Sequence, residues 1–346
     1  MKKIILVFIM FIFSSNVYAS QIVVDQDTNR VLLGVNEDEK KLIASTTKIM
    51  TAMVVINNAD LEEVIKFDES ILKSYGSGIY IEVGEEMKVK DLLYGLMLRS
   101  GNDAAIALAN HVAGSIEGFA ILMNELAASL NMHNTIFINP SGLEESDGSG
   151  NISTALDLAK LMSYAMKNET FRTITSTKRK MVKTNYKTYE WYNKNKLLTD
   201  YKYTTGGKTG YTKKAYRTLV TSATKDNKNL IIVTLDQRDD FKIHEALYEE
   251  YFKKYKLVNI IDSKTYLHEE GMYVEKDFNM LLKDDEINRI NVEIKYTNDA
   301  LDRIGYVTVS LDDNIYFEEN IYLITDKEDK LSLIDKIKLF FRNLFK

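Results

Sequence analysis

One segment of the chain, Ser45 to Asn57, is apolar on nearly every side, and this limits the folds that the chain can adopt. A helix with apolar residues all round cannot rest on one surface, because its other faces would keep apolar area in water. The sequence therefore predicts a buried helix that other elements surround. Its first turn is polar and carries Ser45 and Lys48 with two threonines between them.

Helical and strand-like patterns alternate around this segment between residues 20 and about 255. Alternation predicts a hairpin over residues 21–34, and the continuous apolar run within residues 229–236 is typical of a central strand. This mixture indicates an α/β (α+β) domain, which we place at residues 20–256. The other predicted helices are Val89–Met97, Asp103–Ala113 and His244–Tyr255.

The hydrophobic pattern changes to a period of two after about residue 257. Such alternation is typical of strands with one buried face, so we predict a small all-β domain over residues 257–325. This domain carries no evident chemistry. The alternating apolar positions are Ile290, Val292 and Ile294, then Val307, Val309 and Leu311, followed by a strand-like stretch at Asn314–Ile324.

The first nineteen residues have the pattern of a secretory signal peptide. Lys2 and Lys3 precede an apolar run, Ile4 to Phe13, that is too short to span a bilayer comfortably. Small residues at Val17 and Ala19 favour cleavage before Ser20, and the alternative is an uncleaved membrane anchor. We therefore expect an exported protein.

The last residues, 326–346, are a predicted membrane-anchoring tail, in which Leu331–Lys346 predicts an amphipathic helix that lies on a membrane. One face holds only apolar side chains, and the opposite face holds four cations with a single acid, Asp335. The alternative is a helix docked on the protein itself. We expect peripheral anchoring at the outer face of the cytoplasmic membrane. The apolar positions are Leu333, Ile334, Ile337, Phe340, Phe341, Leu344 and Phe345, and the cations are Lys336, Lys338, Arg342 and Lys346.

The motif Ser45-Thr46-Thr47-Lys48 begins the buried helix and suits nucleophilic catalysis. Residues three apart lie on one helical face, so the Lys48 amine can reach the Ser45 hydroxyl. A serine hydroxyl needs a base at neutral pH, and burial lowers the pKa of a lysine toward that range. Taken alone, this motif is weak because it occurs by chance in many chains.

A second motif, Ser100-Gly101-Asn102, lies between two predicted helices. Ser100 could relay a proton between Lys48 and a leaving group, and Asn102 could hold a substrate amide. Alone, such a tripeptide is more often a helix cap.

The third motif, Lys208-Thr209-Gly210, precedes a strand-like stretch. Its lysine offers a point charge for a carboxylate, and its threonine offers a hydroxyl. Gly210 would let a substrate backbone approach a strand edge closely.

All three motifs occur in one order, with 55 residues from Ser45 to Ser100 and 108 more to Lys208. Other chemistry has little support. The chain has no cysteine, which excludes disulfides, thiolate catalysis and cysteine-based zinc sites. Its net charge of −5 and the lack of a basic stretch argue against nucleic-acid binding. The four histidines lack paired metal-ligand spacing, so we interpret them as structural: His111, His133, His244 and His268.

This combination resembles the signature of penicillin-binding proteins and related β-lactamases. The chain looks like a low-molecular-mass penicillin-binding protein, a D-alanyl-D-alanine carboxypeptidase of the S11 peptidase family. The resemblance is dense over residues 20 to about 255, and it covers the β domain and the tail by architecture only. The matching blocks are Ala44–Ala52, Ser100–Ala105, Asn139–Leu143, Ser153–Ala155, Asn193–Leu198 and Gly207–Thr212.

The resemblance implies a transpeptidase-like catalytic fold, followed by the small β domain and the membrane-anchoring tail. It also implies acyl transfer from the D-Ala-D-Ala end of peptidoglycan stem peptides, with β-lactams as covalent inhibitors and no cofactor or metal. The implied roles are catalytic for Ser45, Lys48 and Ser100, substrate-binding for Asn102, Lys208, Thr209 and Gly210, and oxyanion-binding for the backbone N–H groups of Ser45 and Tyr211.

Two positions depart from the family pattern, and three other functions stay open. Ile43 stands where a proline is usual, and Tyr216 stands where a glycine is usual. The alternatives are a DD-endopeptidase, a β-lactamase and a catalytically idle wall-binding protein. A class A β-lactamase needs a glutamate for deacylation, for which Glu144 and Glu145 are the nearest candidates.

Overall fold

The computed structural model describes residues 19–297 and 303–324. The strands are β1 Ser20–Asp25, β2 Val31–Val35, β3 Lys41–Leu42, β4 Val64–Lys66, β5 Glu86–Lys88, β6 Ile152–Ser153, β7 Arg179–Lys183, β8 Thr188–Tyr192, β9 Thr204–Thr212, β10 Tyr216–Lys225, β11 Lys228–Leu235, β12 Lys256–Ile261, β13 Met272–Val274, β14 Phe278–Leu282, β15 Ile290–Tyr296, β16 Arg303–Leu311 and β17 Asn314–Leu323. The helices are α1 Lys48–Asn58, α2 Val89–Tyr94, α3 Asn102–Ala113, α4 Ile116–Ser129, α5 Ala155–Lys167, α6 Glu169–Ser176, α7 Leu197–Asp200 and α8 Asp240–Lys254.

Helix α1 is the buried helix that the sequence predicts. Its residues from Lys48 to Val55 are all buried, and it packs against α3, α4, α5 and α6. The α-helix starts three residues later than Ser45, because Ala44–Thr47 forms a 3₁₀ turn. Thr46 stabilises that turn by donating its hydroxyl to the Ile43 carbonyl at 2.6 Å.

A five-stranded sheet has the strand order β2-β1-β11-β10-β9. Strand β11 is central and contains the predicted apolar run, and β1 lies beside β2 as the predicted hairpin requires. Strand β9 lies at one edge of the sheet, so its open side is available to another chain segment or to a ligand.

Side-chain caps determine where several helices begin. The Ser115 hydroxyl accepts from Gly118 N ahead of α4, Thr154 accepts from Asp157 N ahead of α5, and Asn168 accepts from Phe171 N ahead of α6. Each cap satisfies one of the backbone N–H groups that a helix start leaves without an intrahelical partner.

The described residues divide into two compact units. One unit contains residues 19–22, 33–221 and 232–243, and the other contains residues 23–32, 222–231 and the described residues from 244 onward. The domain boundaries predicted from the sequence stay predictions.

The second unit is rich in β-structure, with a sheet ordered β13-β17-β16-β15 and a separate β12–β14 pair. Its apolar core includes Val307, Val309 and Leu311 of β16, as the period-two pattern predicts, whereas Val292 of β15 is exposed. Arg30 is buried in this unit, where its guanidinium pairs with Glu286 at 2.6 Å and donates to the Leu281 carbonyl at 2.6 Å.

Within residues 19–297 and 303–324, no single helix is long and apolar enough to cross a membrane. Helices α3 and α4 reach that length and composition only together, and they meet at an angle of 83°. The proposed signal peptide up to residue 18 and the amphipathic tail from residue 326 lie outside the described residues.

Candidate active site

The first motif forms a compact polar centre at the start of α1. Lys48 Nζ lies 3.1 Å from Ser45 Oγ, 2.8 Å from Asn102 Oδ1 and 2.5 Å from the Ser141 carbonyl oxygen. Lys48 is fully buried, whereas Ser45 is partly exposed. The amine therefore reaches the serine hydroxyl from the protein interior, and the hydroxyl remains accessible from outside.

The pKa of Lys48 is lowered to about 7, mainly by burial and also by the nearby Lys194, while the carboxylate of Asp103 acts in the opposite direction. Near neutral pH, Lys48 is therefore uncharged in a substantial fraction of the molecules. An uncharged amine at hydrogen-bond distance can accept the proton of the Ser45 hydroxyl, as a general base must.

The second motif lies where a π-helical turn, Gly95–Arg99, meets α3. Ser100 adopts a left-handed backbone conformation with φ of 63°, which ends that turn. Asn102 is the first residue of α3, so the prediction that the whole motif lies in a loop is wrong for this residue. Its backbone N–H donates to the Ser77 carbonyl at 2.8 Å, which favours the helix start at that point.

The third motif lies inside β9, and the strand-like stretch that follows it in the sequence is β10. A Cβ atom on Gly210 would lie 2.3 Å from Thr218 Oγ1 and 3.0 Å from Ser45 N, so only glycine fits there. This close approach brings the edge strand against the backbone of Ser45.

A cavity of about 440 Å³ opens at Ser45. Five of the residues that the sequence assigns to the site line it: Ser45, Ser100, Thr209, Gly210 and Tyr211. Six further residues that the sequence analysis missed also line it: Ser77, Lys194, Lys196, Arg217, Asp240 and Phe241.

Lys208 and Asn102 are adjacent to this cavity but are not among the residues that line it. Lys208 is buried, and its ammonium donates to the Thr209 carbonyl at 2.7 Å. Burial lowers the pKa of Lys208 well below its usual value, and the nearby Lys48 and Lys194 lower it further. Asn102 is also buried and bonds to Lys48 and, at 2.6 Å, to the Tyr75 carbonyl. Their substrate-binding roles stay predictions.

Arg217 is the guanidinium that faces the cavity. It pairs with Asp240 at 2.7 Å, and its guanidinium carbon lies 5.4 Å from the centre of the Phe241 ring. Its Nε atom is buried and has no hydrogen-bond partner among the described residues. Arg217 is the second residue of β10, the strand next to β9, and that adjacency to the Lys-Thr-Gly strand is the sequence signal that could have identified it.

The two departures from the family pattern have local explanations. Ile43 uses the backbone N–H that a proline would lack, donating to the Asn151 carbonyl at 3.2 Å. Tyr216 has a positive φ of 53°, in the region that favours glycine, where other residues carry about 1–2 kcal/mol of strain. The chain therefore accepts strain at the first residue of β10, beside Arg217.

Glu144 and Glu145, the candidate glutamates for β-lactamase deacylation, form hydrogen bonds away from the cavity at Ser45. Glu144 accepts a hydrogen bond from the Thr212 hydroxyl, and Glu145 accepts one from the Asn139 side chain at 3.2 Å. Neither glutamate lines the cavity at Ser45.

Known proteins resemble this chain over its first two thirds. The model of the S11 peptidase family, described as D-alanyl-D-alanine carboxypeptidase, matches residues 15–239. The D-alanyl-D-alanine carboxypeptidase DacF of Bacillus subtilis is 36% identical over 220 residues, which cover 62% of this chain and 56% of that relative. The D-alanyl-D-alanine endopeptidase of Escherichia coli is 34% identical over 63% of this chain and 70% of its own length.

A solved structure extends the likeness in fold. Penicillin binding protein 5 from Haemophilus influenzae has a TM-score of 0.73 and covers 89% of this chain and 96% of its own. Its sequence identity to this chain is 23%, so this likeness concerns the fold alone.

Gly142 lies under the nucleophile turn and provides a test of this packing. Its φ is +83°, and a Cβ atom there would lie 1.9 Å from the Ala44 carbonyl oxygen. Gly114 has a similar φ of +73° with no atom within 4 Å. We expect Gly114→Ala to cost about 1 kcal/mol through backbone strain alone. Gly142→Ala should cost about 3 kcal/mol or more, because the Ala44 backbone must also move.

Urea unfolding of both variants measures these losses in unfolding free energy. Equal losses in the two variants would show that the space beneath Ala44 does not constrain Gly142.

Proposed function

This chain belongs to the S11 family of D-alanyl-D-alanine carboxypeptidases, and we propose that it removes the terminal D-alanine of peptidoglycan stem pentapeptides through an acyl-enzyme at Ser45. The observation that carries this proposal is the 3.1 Å approach of the fully buried Lys48 amine to a Ser45 hydroxyl that opens on a cavity. That arrangement provides an activated nucleophile with access to a peptide.

The acylation step follows from the positions of these groups. Ser45 Oγ attacks the carbonyl carbon between the two D-alanines, and the hydroxyl proton passes to Lys48 Nζ. The backbone N–H groups of Ser45 and Tyr211 would stabilise the oxyanion, and one such donor typically contributes about 3–4 kcal/mol to lowering the barrier. The peptide C–N bond then breaks, and the departing amine of D-alanine takes a proton through Ser100. Water hydrolyses the ester and restores Ser45.

The terminal carboxylate of the substrate needs a cation in the cavity. We place it at Arg217, whose guanidinium faces the cavity and is held there by Asp240. Thr209 lines the same cavity and offers a hydroxyl to the carboxylate. Lys208 would hold Thr209 in position from behind, since its side chain is buried and donates to the Thr209 carbonyl.

β-Lactams would acylate Ser45 by the same attack on a strained amide carbonyl. Rapid turnover of the acyl-enzyme, as in a β-lactamase, is not favoured because Glu144 and Glu145 do not line the cavity. Endopeptidase activity is a second candidate, since the Escherichia coli endopeptidase matches this chain about as well as the Bacillus subtilis carboxypeptidase. It would use the same residues on a cross-linked stem.

Replacement of Ser45 tests the proposed function. We expect Ser45→Ala to lower D-alanine release from a defined pentapeptide at least about a thousandfold and to abolish covalent penicillin labelling. Mass spectrometry of the peptide products and of the intact protein measures both effects. The matched control is Ser129→Ala, an exposed serine on α4, which should behave as the wild type. A stable penicilloyl adduct on Ser45→Ala would rule out this nucleophile.

Replacement of Arg217 tests the carboxylate site. Loss of a charged hydrogen bond corresponds to about 1.5–3 kcal/mol, so Arg217→Gln should lower kcat/KM for a peptide acid by roughly ten- to hundredfold. The same peptide with a C-terminal amide should lose much less. Arg179→Gln, which removes an exposed arginine paired with Glu190, is the matched control. An equal loss for acid and amide would exclude Arg217 as the carboxylate ligand.

Export and peripheral membrane attachment are part of this proposal and rest on the sequence of the two termini. Residues 331–346 have a net charge of +3 and a continuous apolar face. Basic residues near an anionic surface contribute about 1 kcal/mol each, and a helix of this length spans only about 24 Å. Such a segment suits the membrane surface better than a transmembrane crossing.

Deletion of residues 331–346 should release the protein from anionic liposomes and leave soluble peptidase activity nearly unchanged. Co-sedimentation of the full chain and the truncated chain, at low and high salt, measures the attachment. If both chains pellet equally, the tail does not anchor the protein.

A further inference from the structure

One wall of the cavity comes from a segment, residues 75–81, that contains no helix or strand. Ser77 of this wall segment lines the cavity, and its hydroxyl accepts a hydrogen bond from Lys194 at 3.2 Å. Backbone N–H groups that are largely removed from water need partners to remain folded. The position of this wall therefore depends on the groups that receive its N–H bonds.

A single carboxylate, that of Asp103, receives three consecutive N–H groups of the wall segment. Ile79 N lies 3.0 Å from each of its oxygens, Tyr80 N lies 2.6 Å from one, and Ile81 N lies 3.4 Å from the same one. Successive N–H groups that converge on one anion form a concave binding site for negative charge. Tyr80 has a positive φ of 62°, so the segment adopts a strained turn while it makes these bonds.

The Asp103 carboxylate is closely packed between two glycines. A Cβ atom on Gly101 would lie 2.9 Å from Asp103 Oδ1, and one on Gly78 would lie 3.2 Å from Asp103 Oδ2. Glycines on both sides therefore permit this close contact between the start of α3 and the wall segment.

The start of α3 connects the same wall to the catalytic lysine. Asn102, next to Asp103, donates from its side chain to the Tyr75 carbonyl at 2.6 Å and accepts from Lys48 at 2.8 Å. The two neighbouring residues thus hold both ends of the wall segment, and Asn102 also contacts the amine that activates Ser45.

We propose that Asp103 is a positioning residue for the acylation of Ser45, because its carboxylate holds the cavity wall in place while its negative charge acts on Lys48. The proposal rests on the proposed acyl transfer at Ser45. Asp103 does not line the cavity, so its action passes through Lys48 and through the wall segment.

The charges around Lys48 define the expected electrostatic effect. Burial and Lys194 lower the pKa of Lys48, Asp103 raises it, and the net result is a pKa of about 7. The other nearby cation is Lys208, whose own pKa responds to Lys48. Removing the charge at Asp103 would therefore lower the pKa of Lys48 further. The base form would then be populated at lower pH, and the acylation rate would begin to rise at lower pH.

A second buried carboxylate, Glu85, supplies a matched control. It lies beyond the other side of the wall segment, where it accepts from Glu82 N at 3.0 Å, from the Thr184 hydroxyl at 2.6 Å and from the Tyr189 hydroxyl at 2.8 Å. Asp103 is the carboxylate that acts on Lys48, and Glu85 is not. Glu85→Gln therefore perturbs the chain next to the wall without changing the charge beside the base.

The experiment follows the rate of Ser45 acylation by a fluorescent penicillin across pH, for the wild type, Asp103→Asn, Asp103→Glu and Glu85→Gln. The wild-type rate should rise with a midpoint near pH 7, which is the pKa of Lys48. For Asp103→Asn, we expect a midpoint lower by about 0.5 pH unit or more, since adjacent charges shift a pKa on this scale. Its plateau rate should fall roughly tenfold because the wall loses a charged acceptor.

The other variants separate the two roles of Asp103. Asp103→Glu keeps the charge but displaces the wall, so its midpoint should stay near that of the wild type and its plateau should fall. Glu85→Gln should also keep the wild-type midpoint. Thermal unfolding first shows whether Asp103→Asn is folded like the wild type. If it is not, Asp103→Glu still tests the contribution of the wall segment.

Two results would overturn the proposal. An Asp103→Asn midpoint equal to the wild-type midpoint removes the electrostatic role, and a wild-type plateau in Asp103→Glu removes the wall role. Failure of the proposed function has a different signature, which is the absence of an adduct at Ser45 in the wild type itself.

Discussion

A lysine side chain that is completely buried must find oxygen acceptors or lose its proton, because an isolated charge in the protein interior is strongly unfavourable. Both solutions, oxygen acceptors and loss of the proton, are open to Lys48. Three oxygen atoms surround its amine, and burial lowers its pKa to about 7. These acceptors come from Ser45, Asn102 and Ser141, three distant parts of the chain. The active site therefore forms only when the helices and loops that carry these parts are packed around α1.

Close backbone contacts make this packing possible. Gly142 lies against the Ala44 carbonyl, and Gly210 lies against the backbone of Ser45, in each case at a distance that leaves no space for a Cβ atom. The nucleophile turn is thus confined between a loop and the edge strand β9. A turn held from two sides loses little conformational freedom on reaction, and such preorganisation lowers the barrier for attack.

The cations at the cavity have separate roles according to burial. Lys48 and Lys208 are buried, and the pKa of each is lowered, which suits Lys48 to proton transfer. Arg217 faces the cavity beside Asp240, and its planar guanidinium suits a carboxylate ligand. Asp103 counters part of this positive charge. Its position on α3 couples the shape of the cavity wall to the base.

The amino-acid sequence by itself determined the elements and the chemical identity of the site. Local periodicity predicted α1, the central strand β11 and the period-two strands of the second unit, and the three motifs predicted which distant residues meet at Ser45. The tertiary structure decided which side chains face the cavity. Lys208 is buried behind Thr209, Arg217 takes the exposed position, and Asp103 binds the wall segment. Periodicity cannot predict these outcomes, because the exposure of a side chain near a cavity depends on segments that pack against it from elsewhere in the sequence.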